Sequence, residues 1–362
     1  MVALAAAAAL ALAGCSSGSP TSSSAAETGS PTASGSAQTP SAPGPSNGAT
    51  QLQDAYQTVI ANVLPSVVQI TTGSSLGSGI VYDDKGDIVT NAHVIGSATS
   101  FTVTLANSTT TLDAGLVGSY PDSDLAVIRL NNPPSGLRPA AFGDSGKVQL
   151  GQITLAMGSP LGLSSSVTQG IVSATGRTVS EPQGPGSPGA TIGNMVQTSA
   201  AINPGNSGGA LVNLDSKVIG INTLAATEPQ SNGASAPGIG FAIPATTITN
   251  IADQLIKQGK VTNSGRAALG ITARTGFNQQ FQPAGAVVVA VTPGGAAASA
   301  GLQAGDVITR IGDTPVDSLN ALTTALASLT PGTKVTVTYT RDGGSKTADV
   351  TLGELQGAQS SP

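Results

Sequence analysis

The amino-acid sequence predicts a mainly β protein with two folded domains. Short apolar segments recur along the chain with turn residues between them, and no long helical period interrupts them before about residue 245. Glycine is abundant at 47 residues, whereas aromatic residues make up only 2% of the chain. A length of 362 residues accommodates two domains and flexible extensions. Together these observations favour barrels or a β-sandwich over a helical bundle.

The composition excludes several classes of protein. Charged residues make up 9% of the chain, against about 25% in an ordinary domain, and the net charge is −5. No basic run appears, so we expect no nucleic-acid partner, which would require a basic surface to displace counterions from phosphates. One Cys and one His exclude a disulfide framework, a Cys-based zinc site and most His-rich metal sites. We therefore expect no metal and no cofactor.

The first 15 residues are typical of a secretory signal. An apolar run over residues 1–14 is too short to span a bilayer, and it leads into Leu12-Ala13-Gly14-Cys15. This ending resembles a bacterial lipobox, in which the Cys thiol takes a lipid and becomes the mature N-terminus. No Lys or Arg precedes the run, and the alternative is an ordinary secretory signal with an incidental Cys15. Both interpretations place the folded part outside the cytoplasm.

Residues 16–50 are predicted to form a disordered tether. Of these 35 residues, 26 are Ser, Thr, Pro or Gly, and none is an apolar residue larger than Ala. Such a segment cannot bury enough surface to offset the entropy of ordering it. With a lipid at Cys15, the tether would hold the folded part close to a bacterial membrane surface.

Residues 51–260 are predicted to form the first domain. Apolar segments alternate there with turn residues, and Asp84–Asp87 is a hairpin turn signal between two of them. A helix is predicted at about 245–258, where apolar residues recur on one face and Gly259 follows. The predicted strands are Val67–Ile70, Gly79–Tyr82, Ile88–Thr90, Phe101–Leu105, Leu125–Ile128 and Val218–Ile221.

Three segments of this region carry the candidate catalytic residues. They are Thr90–Val94, Asp124–Ile128 and Ala201–Leu211, which contain His93, Asp124 and Ser207 respectively. Each segment alone is a weak signal, because a lone His, an Asp before a strand and a Gly-rich loop usually have structural roles. Together they supply a base that works near neutral pH, a carboxylate that orients it and a hydroxyl nucleophile.

The order His, Asp, Ser along the chain is that of the chymotrypsin architecture. Glycines around Ser207 permit a tight turn that aims the N–H groups of Gly205 and Ser207 at one point, as an oxyanion hole requires. Asp113 and Asp122 are competing carboxylates, but only Asp124 immediately precedes the apolar strand.

These segments resemble the HtrA/DegP family of extracytoplasmic serine proteases over about residues 55–355. The motifs that carry the resemblance are Thr90–Ile95, Asp124–Ile128 and Ala201–Gly209, with Gly77–Gly79 and Gly238–Pro244 in agreement. The family pattern usually has Pro where this chain has Ala210. The resemblance implies a chymotrypsin-like double β-barrel. In it, His93 is the general base, Asp124 its orienter and Ser207 the nucleophile, with an oxyanion hole at Gly205, Asn206 and Ser207.

The resemblance also indicates a substrate pocket. In this fold the residue six before the nucleophile lies at the base of the primary pocket, and here it is Ala201 rather than an acid. We therefore expect an apolar pocket that refuses Lys and Arg. The other expected lining residues are Asn222, Thr223, Leu224 and Ile239, and the alternative is that all of these are ordinary barrel positions.

Residues 266–355 are predicted to form the second domain, which resembles the PDZ domain that HtrA proteases carry. The characteristic run is Gly301-Leu302 followed by Gly305-Asp306 and Ile308. An apolar segment lies at 285–289, a helical stripe of Leu residues follows at 319, 322, 326 and 329, and a strand is predicted at 335–339. The loop Ala268-Leu269-Gly270-Ile271 matches the carboxylate-binding loop, which would hold a peptide C-terminus while the peptide joins the sheet as a strand. The alternative for this loop is a plain β-turn.

From these features we predict a lipid-tethered, extracytoplasmic serine endopeptidase that hydrolyses unfolded or damaged proteins in protein quality control. Its expected partners are unfolded protein or peptide substrates, peptide C-termini at the PDZ domain, and a membrane surface. The resemblance further implies a homotrimer. A PDZ-based peptide-binding or chaperone protein with minor proteolysis is one alternative, and a structural cell-surface lipoprotein is another. The complete set of three catalytic groups favours the enzyme.

Overall fold

A computed structural model of the chain describes residues 47–73, 75–106, 108–159, 166–181, 190–203, 205–227 and 235–355. The predicted signal, the candidate lipidation site Cys15 and residues 16–46 of the predicted tether lie outside the described residues. Within the part of the chain that the structure describes, no helix is long and apolar enough to cross a membrane.

The described chain begins with helix α1, Asn47–Val63. The prediction of a tether up to residue 50 is therefore wrong for residues 47–50, which form the first turn of this helix. Val59 and Val63, one helical turn apart, are buried in the core, and Tyr56 and Ile60 pack against it. The buried residues that stabilise α1 thus lie in its C-terminal half. Residues 47–50 at its N-terminus are mostly polar, so their composition alone does not predict a helix.

Six antiparallel strands close into a first barrel in the order β1-β2-β3-β6-β5-β4. All the strands predicted from the sequence in this region are confirmed, and β5 is an additional one. The strands are β1 Val67–Thr71, β2 Leu76–Val81, β3 Asp87–Thr90, β4 Ser100–Leu105, β5 Thr111–Tyr120 and β6 Leu125–Leu130. The single-turn helix α2, Ala92–Ile95, follows β3, and the 3₁₀ turn Pro121–Ser123 precedes β6. Because β3 and β6 are neighbours in the barrel, the end of β3 at α2 and the start of β6 at the 3₁₀ turn lie side by side.

A second barrel of six strands follows, in the order β10-β11-β12-β9-β8-β7. Its strands are β7 Ile153–Gly158, β8 Ser166–Glu181, β9 Ala190–Thr198, β10 Ala210–Val212, β11 Val218–Thr227 and β12 Ser235–Pro244. Helix α3, Ala245–Gln258, has the predicted bounds and ends at Gly259, which adopts the left-handed conformation at φ 67°. One buried cluster joins residues of both barrels and of α3, so the barrels share a core.

The second domain is built on a sheet with strand order β14-β15-β16-β18-β19, and β17 pairs with β16. Helix α5, Leu319–Ala327, packs on this sheet with Leu322 and Ala325 buried. The helix is shorter than the predicted stripe of Leu residues, because Leu329 lies beyond its C-terminal end. The short helix α4 is Ala296–Ser299. The strands are β13 Ala267–Ala268, β14 Ile271–Phe277, β15 Pro283–Val291, β16 Val307–Ile311, β17 Thr314–Pro315, β18 Lys334–Arg341, β19 Gly344–Thr351 and β20 Gly353–Glu354.

The second domain packs against the β8–β9 hairpin of the second barrel. Helix α5 lies so close to β9 that a Cβ atom on Gly193 would come within 2.0 Å of the Ala327 carbonyl oxygen. The guanidinium of Arg266, in the segment that connects the domains, donates to the carbonyl oxygens of Asp122 and Thr191. The contact therefore reaches the 3₁₀ turn that leads into β6.

Candidate active site

The three predicted catalytic residues lie on loops where the two barrels meet. His93 belongs to the single-turn helix α2, and Asp124 links the 3₁₀ turn to β6, so the first barrel carries both. Ser207 lies between β9 and β10 and belongs to the second barrel. The site therefore requires the two barrels to be held in a fixed relative position.

Asp124 and His93 form a two-point contact. Asp124 Oδ2 lies 2.8 Å from His93 Nδ1, and Asp124 Oδ1 accepts a hydrogen bond of 2.9 Å from the His93 backbone N–H. The Asp124 carboxylate is 2% exposed, whereas the imidazole is 22% exposed. Because a carboxylate only accepts hydrogen bonds, Nδ1 is the donor in this contact.

The backbone of Asp124 is held as firmly as its side chain. Its carbonyl oxygen accepts bonds from Ala92 N at 3.1 Å and from Asn91 Nδ2 at 3.0 Å. Asp124 adopts the left-handed conformation at φ 50°, a region in which Asp is enriched, and this ends the 3₁₀ turn. The competing carboxylates lie elsewhere: Asp113 pairs with Thr102 within β5 and β4, and Asp122 lies earlier in the turn.

Ser207 is connected to the His93 segment through Thr223 of β11. The Ser207 hydroxyl donates to the Thr223 carbonyl at 3.1 Å, and Asn91 Nδ2 donates to Thr223 Oγ1 at 2.9 Å. Ser207 O accepts a 2.8 Å bond from the backbone N–H of Ser78 in β2. These bonds bring the nucleophile segment of the second barrel against the histidine segment of the first.

The two barrels approach each other closely at Gly208. A Cβ atom there would lie 2.1 Å from the Ser78 carbonyl oxygen and 2.5 Å from Thr90 Oγ1, and its φ is 83°. Both the lack of space and the left-handed backbone require glycine. The glycine after Ser207 thus permits the contact on which the site is built.

The loop before Ser207 carries the predicted oxyanion donors. Gly205 adopts φ 100°, and among the described residues neither the Gly205 N–H nor the Ser207 N–H donates to an acceptor. Asn206, predicted to share in the oxyanion hole, has another role. Its backbone N–H donates to Asn203 O at 3.1 Å, and its amide group bonds to Asn203 N and Ala201 O. Asn206 therefore stabilises the turn, and its backbone N–H already has an acceptor within the loop, so it does not face a substrate.

The predicted pocket residues divide into two groups. Ala201 is exposed and Ile239 is 38% exposed, so both are accessible to a substrate. The prediction for Asn222 is wrong, because its side chain is buried in the second barrel and donates to the carbonyls of Met157 and Ala210 at 3.2 Å each. Thr223 is 2% exposed and points to Asn91, whereas the Leu224 backbone pairs with Phe241 in β12.

The predicted carboxylate-binding loop of the second domain precedes the edge strand β14. Ala268 pairs with Gly353, Leu269 is 1% exposed, and Gly270 adopts φ 72°. The loop is held in place by bonds from Ala297 N to Leu269 O at 2.7 Å and from Thr292 N to Gly270 O at 2.9 Å. Ile271 then begins β14, whose outer edge pairs with no other strand among the described residues.

The sequence did not reveal which residues hold this site together. Ser78, Asn91 and Thr223 carry its cross-barrel hydrogen bonds. Ser78 and Asn91 lie inside the Gly77–Gly79 and Thr90–Ile95 motifs but had no predicted role, and Thr223 was predicted to line the substrate pocket. Within the described residues, no group of three or more His, Cys, Asp or Glu side chains could hold a metal ion.

Two family models match the chain. Residues 77–221 match the trypsin-like peptidase domain, and residues 261–352 match the PDZ domain. Among solved structures, the serine endoprotease of Yersinia pestis is 35% identical with a TM-score of 0.55, and it aligns over 83% of this chain and 98% of its own. The HtrA-type protease AlgW, solved with a decapeptide, is 29% identical with a TM-score of 0.56 over the same shares.

Curated relatives extend the similarity across most of the chain. Serine protease PepD of Mycobacterium tuberculosis is 40% identical over 319 residues, which are 83% of this chain and 67% of PepD. Serine protease Do-like HtrA of Lactococcus lactis is 42% identical over 77% of this chain and 71% of its own length. Periplasmic serine endoprotease DegP of Escherichia coli is 41% identical over 78% of this chain, which spans 57% of DegP. The predicted fold class is confirmed, and the chain belongs to the HtrA/DegP-type serine proteases, as a serine endopeptidase with a trypsin-like domain followed by a PDZ domain.

Proposed function

We propose that the chain hydrolyses peptide bonds of unfolded or damaged proteins through a triad of Ser207, His93 and Asp124. The observation that carries this proposal is the two-point contact between Asp124 and His93, at 2.8 and 2.9 Å. A buried carboxylate that fixes both the ring and the backbone of a histidine leaves Nε2 as the group that receives a proton. Ser207 is the hydroxyl brought to this pair by Thr223.

The reaction begins with transfer of a proton from Ser207 to His93. In the resting site the Ser207 hydroxyl donates to Thr223 O at 3.1 Å. As Oγ forms its bond to the scissile carbonyl carbon, its proton passes to His93 Nε2, and Asp124 stabilises the resulting imidazolium. His93 then gives this proton to the departing amine, the C–N bond breaks, and an acyl group remains on Oγ. A water molecule, deprotonated by His93, hydrolyses the acyl group and restores the serine.

The carbonyl oxygen that gains negative charge would be stabilised by the N–H groups of Gly205 and Ser207. Support comes from the left-handed Gly205, at φ 100°, and from the lack of an acceptor for either N–H among the described residues. One such donor contributes about 2.7–4 kcal/mol of transition-state stabilisation in a related site.

We propose that the enzyme prefers uncharged, apolar side chains at the cleaved position. Ala201 and Ile239 supply accessible apolar surface near the nucleophile loop, and neither can pair with a Lys or Arg of a substrate. An unpaired charge in such a pocket would lose its hydration without compensation.

The second domain is proposed to bind the C-terminal residues of substrate proteins. Edge strand β14 offers unpaired backbone groups to an added strand, and the Leu269-Gly270 turn stands at the end where a terminal carboxylate would lie. AlgW, a relative of the same type, was solved with a decapeptide and with a tripeptide. Substrate capture there would raise the local concentration of cleavable chain at Ser207.

The protein is proposed to work outside the cytoplasm of a bacterial cell, anchored by a lipid on Cys15. The apolar run that ends at Cys15 and the polar composition of residues 16–46 support this placement. DegP and DegQ of Escherichia coli are named periplasmic proteases, which agrees with an extracytoplasmic site. Assembly as a homotrimer is proposed from the family resemblance alone.

The nucleophile assignment is tested with a fluorescent fluorophosphonate probe and a denatured casein substrate. The wild-type protein is expected to react with the probe, and Ser207→Ala to lose both labelling and casein cleavage, because only Oγ is removed. The variant Ser145→Ala, in the exposed 3₁₀ turn Ser145–Lys147, serves as the control and should behave as wild type. Undiminished casein cleavage by Ser207→Ala would exclude Ser207 as the nucleophile.

The carboxylate assignment is tested by comparing Asp124→Asn with Asp122→Asn and Asp113→Asn. Asn at 124 presents an amide to Nδ1 and favours the wrong imidazole tautomer, so kcat should fall by about 10⁴. The two control variants should keep kcat within a factor of about two, because their carboxylates lie away from His93. The measurement is the steady-state rate on a chromogenic peptide, and a comparable loss in either control variant would overturn the assignment.

Peptide capture is tested with Gly270→Val and fluorescence anisotropy of a peptide that has a hydrophobic C-terminus. A β-branched residue is strained at φ 72° and would distort the loop, so the Kd should rise at least about tenfold, or 1.4 kcal/mol. Gly343→Val carries the same strain at φ 78° in the β18–β19 turn and should bind the peptide as wild type does. Equal binding by both variants would mean that the 268–271 loop does not hold the carboxylate.

Lipid anchoring is tested with Cys15→Ala in cells labelled with a radioactive fatty acid. The wild-type protein should incorporate the label and sediment with membranes, whereas the variant should do neither, since the chain contains no other cysteine. The neighbouring change Ser17→Ala is the control and should keep the label. An unlabelled wild-type protein would contradict the lipoprotein assignment.

A further inference from the structure

Ser78 of β2 forms a hydrogen-bonded junction between the two barrels. Its side chain is completely buried, at 0% exposure. The Oγ atom donates to the Gly205 carbonyl at 2.6 Å and accepts from the Ser159 N–H at 2.9 Å. The Ser78 backbone N–H donates to Ser207 O at 2.8 Å, and the Ser78 carbonyl accepts from Thr90 Oγ1 at 2.7 Å. Every polar group of Ser78 is therefore hydrogen-bonded, and the hydroxyl and the backbone N–H both bond to the second barrel.

Two of these bonds hold the loop that carries the proposed oxyanion donors. The carbonyls of Gly205 and Ser207 both point at Ser78, which fixes one side of the loop. A peptide unit is planar, so the direction of the Gly205 carbonyl also sets the opposite direction of the Asn206 N–H, which donates to Asn203 O at 3.1 Å. With this carbonyl turned toward Ser78, its negative end points into the buried contact between the barrels.

The Ser78 hydroxyl is needed here because glycine permits other backbone conformations. Gly205 at φ 100° has no side chain to restrict its rotation, whereas its neighbour Asn206 is buried and its amide group is hydrogen-bonded within the turn. A rotation that released the Gly205 carbonyl would break the bond from Ser78 Oγ and leave the hydroxyl proton of a buried serine without an acceptor. The present orientation of the loop is therefore coupled to a buried group on the opposite barrel.

We propose that Ser78 is a positioning residue for the oxyanion loop: its hydroxyl holds the Gly205 carbonyl away from the reacting centre, so that the Gly205 and Ser207 N–H groups face the substrate. Ser78 touches neither the substrate nor His93 and acts through Gly205 and Ser207. This inference rests on the proposed function, since it presumes that Ser207 is the nucleophile. It predicts that the loss of the hydroxyl impairs transition-state binding more than substrate binding.

The test compares Ser78→Ala, Ser78→Cys and the control Thr154→Val in the full-length protein. Thr154 is also completely buried, in β7, and its hydroxyl bonds to Thr198 Oγ1 at 2.9 Å, away from the Ser207 loop. Each variant is assayed for kcat and KM on a chromogenic peptide. Affinity for a peptide boronic acid, which forms a tetrahedral adduct on the serine, is measured in parallel. Thermal unfolding reports the cost of each lost hydroxyl.

We expect Ser78→Ala to lower kcat about 10- to 100-fold, somewhat less than removal of an oxyanion donor itself, with KM changed by less than about threefold. The boronic acid should bind more weakly by the same factor. Ser78→Cys, which keeps a weak donor of similar size, should fall between alanine and wild type, and it carries the test if the alanine variant does not fold. Thr154→Val should lose thermal stability while keeping wild-type kcat.

Two results would overturn the inference. One is a folded Ser78→Ala or Ser78→Cys variant with wild-type kcat and boronic-acid affinity. The other is an equal loss of kcat in Thr154→Val, which would make the effect one of general stability. Failure of the proposed function has a different signature, because the wild-type serine would then not react with a fluorophosphonate probe at all.

Discussion

The active site depends on the close approach of two barrels at Gly208. The backbone of this residue lies against the Ser78 carbonyl and Thr90 Oγ1 so closely that even a Cβ atom would not fit. The first barrel carries His93 and Asp124, and the second carries Ser207, so a shift of one barrel relative to the other would separate the proposed nucleophile from its base. Misplacement by about 1 Å can cost about 100-fold in rate, which explains why the contact is built from backbone atoms and short, buried side chains.

Arg266 connects the second domain to the turn beside this site. Arg266 stands at the start of this domain, and its guanidinium donates to the carbonyls of Asp122, in the turn before Asp124, and of Thr191 in β9. Burial lowers the pKa of Arg266, and the charges of Tyr120 and Asp122 oppose that change. A guanidinium remains charged under these conditions, so it needs both carbonyl acceptors to compensate its lost hydration. The peptide-binding domain is thus in direct contact with the turn that positions Asp124.

The sequence predicts the elements of this structure better than it predicts the contacts between them. Alternating apolar segments identify six strands, and the periodicity after Pro244 gives α3 its correct bounds, because both signals are local. Helix α1 was not predicted, because Val59 and Val63 stabilise it by packing in a core assembled from distant strands.

Within the site, the motifs locate His93, Asp124 and Ser207, and the structure brings their segments together. Asn222 shows the limit of this reasoning: strand alternation could not tell the pocket side of β11 from the interior of the barrel, where Met157 and Ala210 supply carbonyl acceptors. The same limit applies to Ser78, whose partners lie 81 and 127 residues further along the chain.

His93 is the only histidine, so its orientation by Asp124 as the general base can be tested on one imidazole by NMR of protein labelled with ¹⁵N-histidine. We expect a ring protonated at Nδ1, with a low-field proton in the hydrogen bond to Asp124 and an unprotonated Nε2. A ring protonated at Nε2, or one that exchanges freely between tautomers, would contradict this assignment.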